Sequence, residues 1–159
     1  MNADPTREPP FYFMKPSDAV TPCVSRQEGL VTELPYPKCT KDVHHEAELV
    51  VCLGPDANSK ICKELSDTEL FAKCIFGYAL GIDLTKRDVQ AKAKSMRRPW
   101  EESKAFDQSA IIGPIYPMAG PLPWDEALLR LKTNGGVRQQ STLDKMIWPV
   151  VDVIKYILD

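Results

Sequence analysis

Apolar and polar positions along the chain change period several times, and those changes predict its elements. Residues Val43 to Leu53 read Val-His-His-Glu-Ala-Glu-Leu-Val-Val-Cys-Leu, an apolar run broken by two acids one residue apart, which predicts a β-strand. Side chains at i and i+2 of a strand share a face, so Glu46 and Glu48 stand side by side. A second apolar run, Cys74 to Leu84, predicts a buried strand that delivers Asp83 where it leaves the core. Between them Gly54-Pro55-Asp56-Ala57-Asn58 predicts a turn, and Ser66 with Glu69 gives a capping box for a short helix to about Lys73. Thr85, with Asp88 three residues later, predicts the cap of a second helix that turns Val89, Ala93 and Met96 to one side and stops by Pro99.

Phe11 to Met14 reads as a short strand stopped by Pro16, and Leu30 to Lys41, with Pro35 and Pro37, as an irregular or edge segment. Leu129–Thr133 and Val137–Gln140 flank Asn134-Gly135-Gly136, the signature of a β-hairpin. At the end of the chain Val150, Val153, Ile154 and Ile157 mark a core-facing helix. Fourteen prolines and eight glycines keep the elements short, so the expected class is α+β, rich in β-structure, with long loops.

Composition narrows the function classes. The 159 residues fit one domain able to bury a core, and a formal net charge of −2 argues against a broadly basic nucleic-acid surface. No apolar run approaches the roughly 20 residues that span a bilayer. Met1-Asn2-Ala3-Asp4-Pro5 lacks a basic stretch leading into an apolar one. The expectation is a cytosolic protein, a mitochondrial one also being compatible, with neither nucleic acid nor membrane as partner. Five cysteines without a Cys-x-x-Cys pair fit ordinary buried or surface thiols better than a zinc site or a disulfide framework.

Glu46, Glu48 and Asp83 are the candidate chemistry. Two carboxylates on one strand face repel each other, and a cation relieves that repulsion. An all-oxygen donor set favours Mg²⁺ or Mn²⁺, or Ca²⁺, over structural zinc. A solvated sheet face carries the same spacing, so the residues alone leave both readings open.

Longer stretches resemble the fumarylacetoacetate hydrolase family, in particular its acylpyruvate and fumarylpyruvate hydrolase branch. They run from Phe11-Tyr12-Phe13-Met14-Lys15-Pro16-Ser17 through Leu34-Pro35-Tyr36-Pro37, His44-His45-Glu46-Ala47-Glu48-Leu49 and Gly77 to Asp88. Arg98-Pro99-Trp100, Ser103-Lys104-Ala105-Phe106-Asp107, the hairpin and Met146-Ile147-Trp148 follow in order. The resemblance implies a sandwich-like β-roll or barrel with short peripheral helices, and a homodimer. It implies a metal-dependent hydrolase that cleaves a carbon–carbon bond in acylpyruvate-like 2,4-dioxo acids, with decarboxylases and tautomerases of oxo acids among its relatives. Glu46, Glu48 and Asp83 would then bind Mg²⁺ or Mn²⁺. Lys104 would be the catalytic lysine that faces substrate, with Arg87 and Arg98 as partners for a substrate carboxylate.

Against the family pattern the chain reads as residues 1–10, an N-terminal tail, followed by a partial catalytic domain over 11–159. Hydrolytic relatives carry a histidine and glutamate lid pair upstream of the Lys-Pro-Ser motif, and no histidine precedes Phe11 here. They also continue past Met-Ile-Trp into a further strand and a Gly/Thr/Pro-rich loop. The expectation is therefore an incomplete core, with a non-catalytic metal- or oxo-acid-binding remnant as the alternative to an enzyme.

Overall fold

The computed structural model describes residues 8–23, 31–58, 62–118 and 120–158. The chain separates into two compact units, the first drawn from residues 51–78 and from 116 onward, the second from 12–50 and 79–115.

In the second unit the strands β1 (Val20–Pro22), β2 (Val43–Leu53), β3 (Ile75–Lys86) and β4 (Ala110–Ile112) take the order β1-β4-β3-β2, with β2 and β3 also supplying residues to the first unit. β4 runs parallel to β1 and antiparallel to β3, where Asp83 lies opposite Ala110. The acidic strand is thus where its alternation predicts, with Ala47 buried between the two glutamates. After β3 come α2 (Arg87–Ser95) and the single turn α3 (Glu101–Lys104), while α1 (Asp67–Cys74) belongs to the first unit.

Two local expectations fail in this unit. Thr85 does not cap α2: it is fully buried within β3, and Lys86 holds the cap position without a side-chain bond. Phe11 to Met14 forms no strand but runs as irregular chain up to Lys15. Residues 31–42 are likewise irregular, as their prolines predict, and Leu30 lies outside the described residues.

The first unit holds α1 (Asp67–Cys74), β5 (Tyr116–Pro117), the hairpin of β6 (Leu128–Thr133) and β7 (Gly136–Thr142), and α4 (Val150–Ile157). Ser66 and Glu69 close both halves of the predicted capping box, satisfying donors that the helix start leaves open. Asn134 and Gly135 turn the hairpin with φ of 50° and 80°, the left-handed pair that lets a two-residue turn match strand twist. β5 pairs with β3 so closely at Gly77 that a Cβ there would stand 2.4 Å from the Tyr116 carbonyl oxygen.

Cys62, Leu70 and Cys74 are fully enclosed in this unit, and α4 adds Val150, Val151 and Ile154 to its core. The apolar stripe expected on α4 is therefore rotated: Val151 is buried, whereas Ile157 is 47% exposed. Lys155 reaches Asp67 at 2.8 Å and ties α4 to α1. The thiols of Cys62 and Cys74 lie 3.2 Å apart, and burial together with Cys62 pushes the Cys74 thiol up to about 11. The architecture is α+β and sheet-rich with few helices, and among the described residues neither sheet closes into a barrel.

Candidate metal centre

β2 places Glu46 and Glu48 on one face and β3 brings Asp83 beside them, so that one carboxylate oxygen from each lies within 4.8 Å of the others. Asp83 is buried, Glu46 half-buried, and Glu48 stands at the open side. Lys104, the last residue of α3, is 2% exposed. Its backbone N–H and that of Ser103 both donate to the Trp100 carbonyl, a tight turn that carries Lys104 inward. Its ammonium donates to Asp83 Oδ2 at 2.5 Å and to Glu46 Oε2 at 2.6 Å, and lies 5.0 Å from the centre of the Phe13 ring.

Arg87 starts α2 and donates through Nη2 to Glu46 Oε1 and through Nη1 to Gln90 Oε1, the latter at 2.6 Å. Its guanidinium is engaged with the glutamate that resemblance assigns to metal. Arg98 is not brought to the cluster. It lies exposed beyond α2, where it lines a separate groove with Val89, Ala93 and Met96.

Lys15 joins the cluster without having been singled out by spacing. Its ammonium donates to the carbonyls of Lys104 and, at 3.3 Å, Leu84, and stands 2.7 Å from Asp83 Oδ1. That last contact is an attraction of charges off the line of a hydrogen bond, so Asp83 Oδ1 remains a buried oxygen without a hydrogen-bond donor. The signal in the sequence is the Lys-Pro-Ser motif, whose partners 69 and 89 residues away no local pattern reveals.

The three acids sit in different fields. Loss of solvent, then the charge of Asp83, pushes the Glu48 carboxyl up to about 7, although Lys104 and Lys15 pull the other way. Loss of solvent also works on Glu46, but hydrogen bonds from Lys104 and Arg87 outweigh it and hold that carboxyl below its usual value. Burial depresses the Lys15 ammonium, against the pull of Asp83. An unbonded buried carboxylate oxygen beside a second carboxylate strained towards its neutral form is a donor set that suits a hard divalent ion.

Residues 1–158 match the profile of the fumarylacetoacetate hydrolase C-terminal family. The chain belongs to the fumarylacetoacetate hydrolase family. Family relatives include a fumarylpyruvate hydrolase of Ralstonia, 32% identical over 151 residues, which cover 95% of this chain and 71% of that protein. An oxaloacetate tautomerase of Escherichia coli K12 is 37% identical over 156 residues, or 94% of this chain and 63% of the relative. Among solved members of the family, fumarylpyruvate hydrolase from Pseudomonas aeruginosa, crystallised with Mn²⁺ and pyruvate, superposes with a TM-score of 0.81 at 41% identity. That match covers 98% of this chain and 63% of the other. The chain thus spans about two thirds of the length of these family members.

Proposed function

We propose that this family member hydrolyses a carbon–carbon bond in acylpyruvate-like 2,4-dioxo acids, with Mg²⁺ or Mn²⁺ held by Glu46, Glu48 and Asp83. The observation that carries the reading is the convergence of three carboxylates with the buried ammonium of Lys104. A divalent ion bound there supplies a Lewis acid that orients and polarises the oxygens of an oxo acid. Lys104 is held by Asp83 and Glu46, so its charge is fixed before substrate arrives and can stabilise negative charge developing on a substrate oxygen. Arg87, braced by Gln90, holds Glu46 in place for that task. The Ralstonia and Pseudomonas relatives support this substrate class, pyruvate being the oxo-acid fragment that cleavage of an acylpyruvate releases.

Tautomerisation of an oxo acid is the second reading. Hydrolysis needs a group that activates water. Of the chain's two histidines, His44 pairs with Asp42 at 3.2 Å and His45 is exposed. Tautomerisation needs only a proton moved between carbon and oxygen, and the Escherichia coli relative is named for that reaction. Loss of the ultraviolet absorbance of an acylpyruvate, dependent on Mn²⁺ and abolished in Glu48→Gln, is the outcome expected of a hydrolase. Conversion between enol and keto oxaloacetate without acylpyruvate cleavage selects the tautomerase. Calorimetric Mn²⁺ binding with neither reaction selects a non-catalytic binder, and equal rates with and without metal overturn both enzymatic readings.

A further inference from the structure

We infer that Lys15 is the resident counter-ion of the cluster: its ammonium neutralises the Asp83 oxygen that a divalent ion takes, and so sets how tightly the ion binds. This rests on the metal reading above. The formal charges of Glu46, Glu48 and Asp83 are matched one for one by Lys15, Lys104 and Arg87, so the cluster is balanced without a metal. The six groups are not equally committed. Lys104 takes Asp83 Oδ2 and Glu46 Oε2, and Arg87 takes Glu46 Oε1. What remains for an ion is Asp83 Oδ1, which has no hydrogen-bond partner, the carboxylate of Glu48, and the second lone pair on an oxygen of Glu46.

Lys15 stands 2.7 Å from Asp83 Oδ1, yet its donors point at the carbonyls of Leu84 and Lys104. The two carbonyls use two of its three N–H donors and Asp83 holds it as an ion pair, so an incoming cation replaces that pairing while the carbonyl hydrogen bonds remain. The same carbonyls keep the ammonium close once the ion is in place, where it opposes a like charge. Lys15 acts on the ion through Asp83 and is a positioning residue. Two consequences follow from its charge alone: without Lys15 the metal-free cluster is over-charged and less stable, and the metal-loaded cluster is better balanced.

The test is calorimetric titration of the full chain with Mn²⁺ at about pH 8, where protons compete little for carboxylates. Lys15→Gln keeps a donor for the two carbonyls but removes the charge. It is expected to bind Mn²⁺ about tenfold more tightly than wild type, while its metal-free thermal midpoint falls. Lys15→Arg, which keeps the charge, is expected to stay within about threefold of wild type. A purely structural role would weaken binding, so unchanged or weaker binding by Lys15→Gln overturns the inference while leaving the metal reading intact. Failure of wild type to bind Mn²⁺ overturns both. If Lys15→Gln does not fold, the side-chain ¹⁵N signal of Lys15 in wild type decides: a displacement on saturation with Mg²⁺ supports the inference, and an unmoved signal refutes it.

Discussion

Asp88 is exposed, and its carboxylate still organises the approach to the cluster. Oδ1 accepts from Thr40 Oγ1 at 2.6 Å and from the Val89 N–H at 2.9 Å, while Oδ2 accepts from the Lys41 N–H at 3.0 Å. The Arg87 N–H donates to the Asp42 carbonyl at 2.8 Å, so the chain that leads into β2 is stitched to the start of α2, with Glu46 on one and Arg87 on the other. The hydrogen bond from Thr40, then that from Lys41, holds the Asp88 carboxyl below its usual value. A carboxyl depressed by folding stabilises the fold above its unfolded value, and the contribution fades as pH falls through the folded one. Asp88→Ala is thus expected to lower the thermal midpoint at pH 7, with the deficit shrinking as the pH falls below the ordinary carboxylate range. A deficit that stays constant as the pH falls refutes the assignment. Spacing singled out Asp88 but assigned it to a cap built on Thr85. Two of its three partners lie 47 and 48 residues away, as distant in sequence as they are close in space, and the partners of Lys15 are hidden from local spacing for the same reason.

Elements whose signals are local were the legible ones. The capping box at Ser66 and Glu69 closes over three residues, the Asn134-Gly135 turn over two, and the alternation of β2 lies within one strand. What depends on a distant partner was not legible. Phe11 to Met14 has the composition of a strand but finds no ladder, and the stretch serves to aim Phe13 and Lys15. The buried side of α4 is set by its packing, which takes Val151 in place of Ile157 although both fit an apolar helix. Nothing local in the apolar run from Cys74 to Leu84 marks Gly77, whereas the register of β5 makes glycine the one residue type that fits there. Gly77→Ala forces its methyl against the Tyr116 carbonyl, so β5 must shift away from β3. A loss of about 1–3 kcal/mol in denaturant unfolding is expected, the usual cost of overpacking, and unchanged stability would show that β5 yields freely.

At the scale of the molecule, every residue of the candidate metal centre belongs to the second unit. An ion held there links β2, β3 and, through Lys104, the end of α3. Binding to the folded state alone stabilises by about 2.7 kcal/mol at a free concentration one hundredfold above Kd. Hydrogen exchange followed by mass spectrometry is therefore expected to slow on adding Mg²⁺ in peptides from 43–50 and 79–86, with the β6–β7 hairpin changed least. Uniform slowing would argue against a local site. The family and the three acids were readable from motif order, because the motifs keep their order even where their structural context cannot be seen. Lys104 and Arg87 were readable as site residues from the same motifs, but their pairing with the acids was not, and Lys15 acquires its meaning only when the fold brings it to Asp83.

The first unit carries its own clock. Cys62 and Cys74 are enclosed around Leu70, and the Cys74 thiol is raised to about 11, so alkylation at neutral pH must wait for that core to open. Cys39, exposed in the second unit, has no such delay. The rate at which the enclosed pair disappears into reagent therefore counts openings of one half of the chain, read from the native protein with no probe added to it.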